Sequence, residues 1–597
     1  MKTMEETENA WSVAKIIFPY PSMKPTQWKF IHTILTTNNP LFISTKTGVG
    51  KTSALLTALM ALKKTEDKIV VFVRTKSQIN VFMRELGLLY QQIIKNWDKL
   101  QGYFPNFPFI LPVLGKNELC IRKKNGLPSE MYTHICELTK CPLKNRTKDI
   151  TNAELVKMVK DLYNTYPQMI TTDDLVNVLN TGKYCPYFLS QILIPKSEII
   201  VTSYPFLENF IMFKTLFNRL NTNLSNIFIA IDEAHNLYRI MNQDLSINTI
   251  KRAQSEYPSS MFKMLLTLLE KEQTIKMDEY YEEMKELGQT LFPILQEQIA
   301  KDELKSINAY LAYYFLQQAQ NQTLTSDTKK ISLINPLPSI ILNKVNTAKK
   351  IVLMSGSFEP LSSYQLLYGL VNSKQLKILA NKKETNGRYF IVSNPTYNGK
   401  FENRTVTYYE LIWKAIDSLF SNIPGHTIVF SPSYSYLNQL VEMNPTKFAV
   451  VENPELNINE ATTMLVNSTK KLLLGCVAGG KISEGIEFTQ NGQSLIKGVM
   501  ITALPYPPPS IETDIVYDEL SERYGEHLAR NFTITIPTVQ RLAQSFGRAI
   551  RSERDKAVHI LLDSRGTRFS NEFDFERFNS LERLNKVVKA FFTTNNG

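Results

Sequence analysis

Residues 40–52 read P-L-F-I-S-T-K-T-G-V-G-K-T. An apolar run from Pro40 to Ser44 gives way to a small, glycine-bearing loop. Leu55, Leu56, Leu59 and Leu62 then follow at helical spacing. A strand, a loop with Gly48, Val49 and Gly50, and a helix opened by Lys51, Thr52 and Ser53 is the order a phosphate loop requires. Glycines let main-chain N–H groups curl around phosphate oxygens, and the positive end of the helix dipole adds to them. Lys51 is expected to reach the β- and γ-phosphates of ATP, and Thr52 to offer its hydroxyl to Mg²⁺.

Working outward, short Val/Ile/Leu-rich runs recur, each followed by Gly, Ser, Thr or Asp. They begin at Lys68, Glu198, Ile227 and Lys349, and a second set begins at His426, Lys471, Val499 and Val558. Such runs read as buried parallel strands with functional loops at their C-terminal ends, and their number fits two α/β units. The run I-F-I-A-I-D-E-A-H (Ile227 to His235) delivers two adjacent carboxylates to a strand end. Asp232 suits Mg²⁺, and Glu233 suits orienting and deprotonating an attacking water. Near the other end, Q-S-F-G-R-A-I-R (Gln544 to Arg551) places Arg548 and Arg551 three apart. On a helix they share one face, where two guanidinium groups could meet a γ-phosphate.

The first unit is interrupted twice. A polar, basic segment between Arg84 and Lys196 holds four of the five cysteines. From Leu237 to about Leu342 the apolar spacing is helical, with no strand signal. The expected boundaries are a first motor domain at 1–84, 196–237 and 342–372, a cysteine-rich domain at 85–195, a helical domain at 238–341 and a second motor domain at 373–597.

The set G-K-N-E-L-C-I (from Gly115), V-R-T-K-S-Q (from Val73), I-D-E-A-H-N-L, M-S-G-S-F-E-P (from Met354), F-S-P-S-Y-S-Y (from Phe430), G-G-K-I-S-E-G-I-E-F (from Gly479), L-P-Y-P-P-P (from Leu504) and Q-S-F-G-R-A-I-R-S-E-R-D (from Gln544) resembles the XPD branch of the superfamily two DEAH-type DNA helicases, with its DinG and FancJ-like relatives. The likeness runs from about Phe18 to Arg565 and is nearest the compact, archaeal-like members. It implies two RecA-like motor domains, a cysteine-rich iron–sulfur insertion and a helical arch, with 5′-to-3′ translocation on single-stranded and forked DNA, powered by ATP. It further implies that Gln27, in F-P-Y-P-S-M-K-P-T-Q, faces adenine. By the same likeness His235 and Gln544 couple nucleotide to domain closure, Gly485 and Glu487 lie at the interdomain face, and Arg548 and Arg551 sense the γ-phosphate. Lys24 stands where an Arg is common.

Cys120, Cys136, Cys141 and Cys185 are separated by 15, 4 and 43 residues. Zinc ribbons prefer two close pairs, and only Cys136 and Cys141 form one. Irregular spacing suits a [4Fe–4S] cluster, whose ligands come from scattered loops. Zinc and unliganded thiols are the alternatives, and in the resembled family the same region holds the cluster. Arg122, Lys123 and Lys124 would offset its charge or face DNA phosphate. Cys476, inside an apolar run, reads as a buried hydrophobe.

A net charge of +12 favours a polyanionic partner. No apolar run reaches the length of a membrane span, and the N-terminus lacks a signal-peptide core, so a membrane-free location is expected, cytoplasmic in an archaeal-like cell and nuclear in a eukaryote. The resemblance implies a monomeric motor. A DNA-stimulated ATPase acting as a damage-verification switch in repair is the rival reading. A fused nuclease is a weaker one, since no further carboxylate cluster is visible.

Overall fold

The computed structural model describes residues 4–593 except 39, 46–49, 122–131, 133–135, 137–140, 166–170, 238–242, 272–273, 302, 304, 320–322, 327–328, 334–341, 357, 359, 379–385, 454, 457, 484–487, 491–492 and 551–554. Two compact units result. One comprises Met1–Thr45, Val49–Ile378 and Ser510–Glu519, and the other chiefly Leu379–Pro509 and Leu520–Gly597.

The chain first lays down β1 (Leu41–Thr45), β2 (Lys68–Val73), β3 (Ile110–Val113), β4 (Ile199–Ser203) and β5 (Ile227–Asp232). It then forms β6 (Gln243–Ser246), β7 (Thr274–Lys276), β8 (Thr323–Ser326), β9 (Lys330–Leu333), β10 (Lys350–Ser355) and β11 (Lys374–Ile378). The main sheet runs β11-β1-β10-β5-β2-β4-β3, every pair parallel. All residues of β1, β5 and β10 are buried, as a parallel sheet covered on both faces demands. Because β10 lies between β1 and β5, the phosphate-loop strand and the Asp232 strand end on either side of Ser355.

The sheet is wider than the expected boundaries. It takes β3 from inside the 85–195 segment, and β11 from beyond residue 372. Pro112 masks β3 in the sequence, yet a proline is tolerated there because β3 is an edge strand.

Between β5 and β10, helices Ile247–Glu256, Ser260–Lys271, Tyr281–Ala300 and Ile307–Gln318 close over Phe262, Leu265, Leu291 and Leu316. The expectation of a purely helical segment is corrected: β6-β9-β8-β7 form a small antiparallel sheet against these helices. Strands of three or four residues are too short for an alternating pattern to stand out, and pairing rather than local preference makes them.

The second unit contains β12 (Asn386–Val392), β13 (His426–Ser431), β14 (Val450–Val451), β15 (Leu473–Val477), the hairpin β16 (Thr489–Gln490) and β17 (Gln493–Ser494), β18 (Ile496–Ile501), β19 (Lys556–Leu561) and β20 (Glu576–Phe578). Its parallel sheet runs β14-β15-β13-β18-β19-β12-β20. Successive side chains of β13 point to opposite faces. Val429 joins Ile412, Ile416 and Leu419 of helix Val406–Asn422. Ile428 and Phe430 join Leu542 and Phe546 of helix Ile536–Phe546. Among the described residues no helix is long and apolar enough to cross a membrane.

Candidate nucleotide site and cysteine centre

Helix Lys51–Leu62 begins at Gly50, whose φ of +74° lies in the left-handed region open to glycine. A Cβ there would stand 2.2 Å from Gln27 Nε2, so any side chain would have to push the Gln27 amide aside. Gln27 is buried. Its Nε2 donates to the Gly50 carbonyl at 3.4 Å and its Oε1 accepts from the Lys24 N–H at 3.0 Å. Ser53 Oγ donates to the same Gly50 carbonyl at 3.2 Å, and Thr52 is half-buried beside Lys51. Gly48 and Val49 lie outside the described residues.

The start of helix Lys51–Leu62 and the end of β5 bring Lys51 to both carboxylates. Its Nζ pairs with Glu233 Oε1 and lies 3.6 Å from Asp232 Oδ1. Burial alone would lower the lysine pKa, but Glu233 and Asp232 outweigh it and hold the ammonium firmly charged. Burial pushes Asp232 up to about 6, against the pull of Lys51. Burial also acts to raise Glu233, but Lys51 and His235 overcome it and leave this carboxylate well below its usual range. Two neighbouring carboxylates thus differ in proton affinity, with Glu233 the one held ionised. Asp232 Oδ1 is buried without a hydrogen-bond partner, the condition in which a carboxylate oxygen suits a divalent cation.

Glu233 has φ 49° and ψ 38°, an arrangement costing an ordinary residue roughly 1–2 kcal/mol. Its Oε2 accepts from Ser355 Oγ at 3.2 Å, and Ser355 Oγ lies 2.5 Å from His235 Nδ1. Tyr204 donates its hydroxyl to the Asp232 carbonyl, and Tyr368 donates to the Ala234 carbonyl at 2.7 Å. Sequence reasoning missed Ser355, Tyr204 and Tyr368. Ser355 lies inside the quoted M-S-G-S-F-E-P stretch, and Tyr204 follows the run beginning at Glu198, but neither tyrosine carries a local signal.

In the second unit Gln544 is half-buried on helix Ile536–Phe546. The helix ends at Phe546, with Gly547 closing it, so Arg548 sits in the following turn and its Nε donates to the Gln544 carbonyl at 3.1 Å. This corrects the expectation that Arg548 and Arg551 share a helix face. Arg551, Gly485 and Glu487 lie outside the described residues. A π-helical turn, Asn531–Thr535, precedes this helix. Pro537 has no N–H to give and its ring crowds the carbonyl four residues back, which widens the turn. Another residue missed from sequence is Glu452. It is buried, and its carboxylate accepts from the N–H groups of Val477 at 2.9 Å and Ile482 at 3.3 Å. Burial raises its pKa against the pull of these N–H groups, and the contacts join the end of β15 to Ile482.

Cys141 and Cys185 are buried, and Cys120 and Cys136 half-buried. Cys141 precedes helix Pro142–Lys148 and Cys185 precedes helix Pro186–Leu193, each with proline in first position. The Cys185 N–H donates to Thr147 Oγ1 at 2.8 Å, which ties the start of the second helix to the last turn of the first. Burial pushes the Cys136 thiol up, Lys116 pulls it down, and the other three thiols push it up again. Burial likewise raises Cys185, while the N–H groups of Phe188 and Tyr187 favour its thiolate. Cys136 thus interacts with the other three thiols, and Cys185 with Cys120 and Cys141. Among the described residues, however, no three such donors stand close enough to hold one metal ion. The nearby cation is Lys116, which also lies 5.3 Å over the Tyr187 ring. Arg122, Lys123 and Lys124 lie outside the described residues.

The chain matches the DEAD_2 family over residues 71–254 and the helicase C-terminal domain family over residues 416–575. The ATP-dependent DNA helicase XPD of Sulfolobus acidocaldarius is 26% identical over 550 residues, spanning 88% of this chain and 92% of that protein. This chain is XPD-like along most of its length. The ATP-dependent DNA helicase CHL1 of Kluyveromyces lactis is a more distant XPD-like relative, 24% identical over 595 residues, with 83% of this chain and 70% of that protein covered. A solved XPD helicase structure superposes with a TM-score of 0.69 at 23% identity, covering 94% of this chain and 100% of the other. The two parallel-sheet units are accordingly RecA-like domains of the XPD fold.

Proposed function

We propose that this XPD-like chain is an ATP-dependent DNA helicase that moves 5′ to 3′ on single-stranded DNA and separates forked duplex, in the service of DNA repair. The observation that carries the reading is the meeting of Lys51 with Asp232 and Glu233 at adjoining strand ends. Lys51 leaves the carboxylates to hold the β- and γ-phosphates, while Gly50 and the helix N-terminus receive phosphate oxygens and Gln27 faces adenine. Thr52 and Asp232 would hold Mg²⁺, which supplies charge neutralisation to the phosphates. Glu233, still held by His235 once Lys51 has moved to the phosphates, accepts the proton of the attacking water. Gln544, Arg548 and Arg551 read the γ-phosphate, and Gly485 and Glu487 relay its presence.

The segment from 85 to 195 is proposed as an iron–sulfur domain and that from 238 to 341 as an arch. The donor set supports a [4Fe–4S] cluster: Cys136 interacts with the other three thiols, and Cys185 opens a helix whose main-chain N–H groups favour its thiolate. Cys120, Cys136, Cys141 and Cys185 would be its ligands.

The test uses forked substrates with a single 5′ or 3′ tail. Strand displacement from the 5′-tailed fork alone, lost in Lys51→Ala, supports the helicase. ATP turnover without displacement on either fork supports the damage-verification switch, and displacement by Lys51→Ala removes the site assignment.

A further inference from the structure

Glu233 is a non-glycine residue in the left-handed region, and its carboxylate direction depends on keeping that backbone. The carbonyls of its two neighbours each receive a hydroxyl from a fully buried tyrosine: Tyr204 at Asp232 and Tyr368 at Ala234. These tyrosines come from different parts of the first unit. Tyr204 follows β4, and its own N–H donates to the Val73 carbonyl at the end of β2, at 3.0 Å. Tyr368 follows helix Leu361–Leu367 and packs among Phe42 of β1, Phe358 and Tyr364, with ring centroids 6.2, 6.5 and 5.7 Å away.

We infer that Tyr204 and Tyr368 are positioning residues for ATP hydrolysis: they grip the main chain on both sides of Glu233 and so aim its carboxylate. Neither touches the reacting atoms. Each acts through Glu233, so the inference rests on the role proposed for that residue. A hydroxyl on a carbonyl fixes a peptide plane: Tyr204 fixes the plane entering Glu233 and Tyr368 the plane leaving Ala234, while the Asn236 N–H holds the Glu233 carbonyl between them at 3.0 Å. The braces reach β2 and β1, so the aim of Glu233 is set by the sheet rather than by its own loop.

The experiment is a pair of mutant cycles on the full chain with single-stranded DNA and saturating Mg²⁺, measuring kcat and KM for ATP. Tyr204→Phe and Tyr368→Phe remove only the hydroxyls. Each is expected to lower kcat about tenfold while KM changes less than about twofold. In a Glu233→Gln background, where no base remains to aim, neither is expected to lower the residual rate further. Loss by the same factor in both backgrounds would overturn the inference, as would unchanged kcat in the single variants. Full turnover by Glu233→Gln alone would remove the proposed role of Glu233, and the inference with it. Circular dichroism and binding of a fluorescent ATP analogue check folding. If one tyrosine variant does not fold, the other carries the test.

Discussion

Replacing Lys51 by Met removes the one ammonium shown to pair with both Asp232 and Glu233 and keeps most of the side-chain volume. Lys51, Asp232 and Glu233 side chains are only 13%, 7% and 21% exposed, so water replaces the lost partner poorly. Breaking one side of a buried ion pair typically costs about 3–5 kcal/mol. For a domain of this size each kcal/mol moves the midpoint by roughly 2–4 °C, so the first unfolding transition of Lys51→Met should fall by on the order of 10 °C at pH 8. The pH dependence carries the sharper signature. Asp232 already has a folded pKa raised to about 6, above its unfolded value. A carboxyl raised on folding adds stability at low pH and loses it as pH rises through the folded pKa. Without Lys51 the two carboxylates share a proton more tightly, so the deficit of the variant should shrink as pH falls from 8 to 5. Differential scanning calorimetry of both proteins across that range measures it. A constant deficit across the range, or none at pH 8, would refute the claim that Lys51 holds two buried negative charges.

Three other outcomes are expected. Gly50→Ala should weaken binding of a fluorescent ATP analogue at least about tenfold, because the left-handed φ and the Gln27 amide both oppose a Cβ. Glu452→Ala should lower stability of the second unit by about 1–3 kcal/mol in urea unfolding, since it strands buried N–H groups of Val477 and Ile482. Cys185→Ser, prepared without oxygen, should lose iron and visible absorption while Lys51-dependent ATP turnover survives. Equal iron content in the two proteins would count against a cluster on these cysteines.

Lys51, Asp232 and Glu233 were legible because each stands at the end of an apolar run, and position after a strand is a local signal. Gly50 was legible for the same reason, and the structure adds that Gln27 occupies the space beside it. Ser355, Tyr204 and Tyr368 were not legible as partners of the Asp232–Glu233 turn. Their proximity follows from β10 lying between β1 and β5, and from β2 lying between β5 and β4, an order that no local pattern encodes. The arginine pair was misread because helical spacing was extended past Gly547, where the helix has already ended. In the cysteine segment the residue types were plain, but the bond from Cys185 to Thr147 of the helix that follows Cys141 needed coordinates, and so did the placing of Lys116 as a cation acting on Cys136.

The wide turn at Asn531–Thr535 acts as a phase shifter. One residue of an α-helix turns the face by about 100°, and a π turn absorbs roughly that much without interrupting the rod. The segments Glu526–Arg530 and Ile536–Phe546 therefore run on with their faces out of step. A lineage could gain or lose a residue at this turn and change which side chains ride beside Gln544, while β19 and the buried Leu542 and Phe546 stay in register with the sheet. Pro537 is what keeps the gear from slipping back.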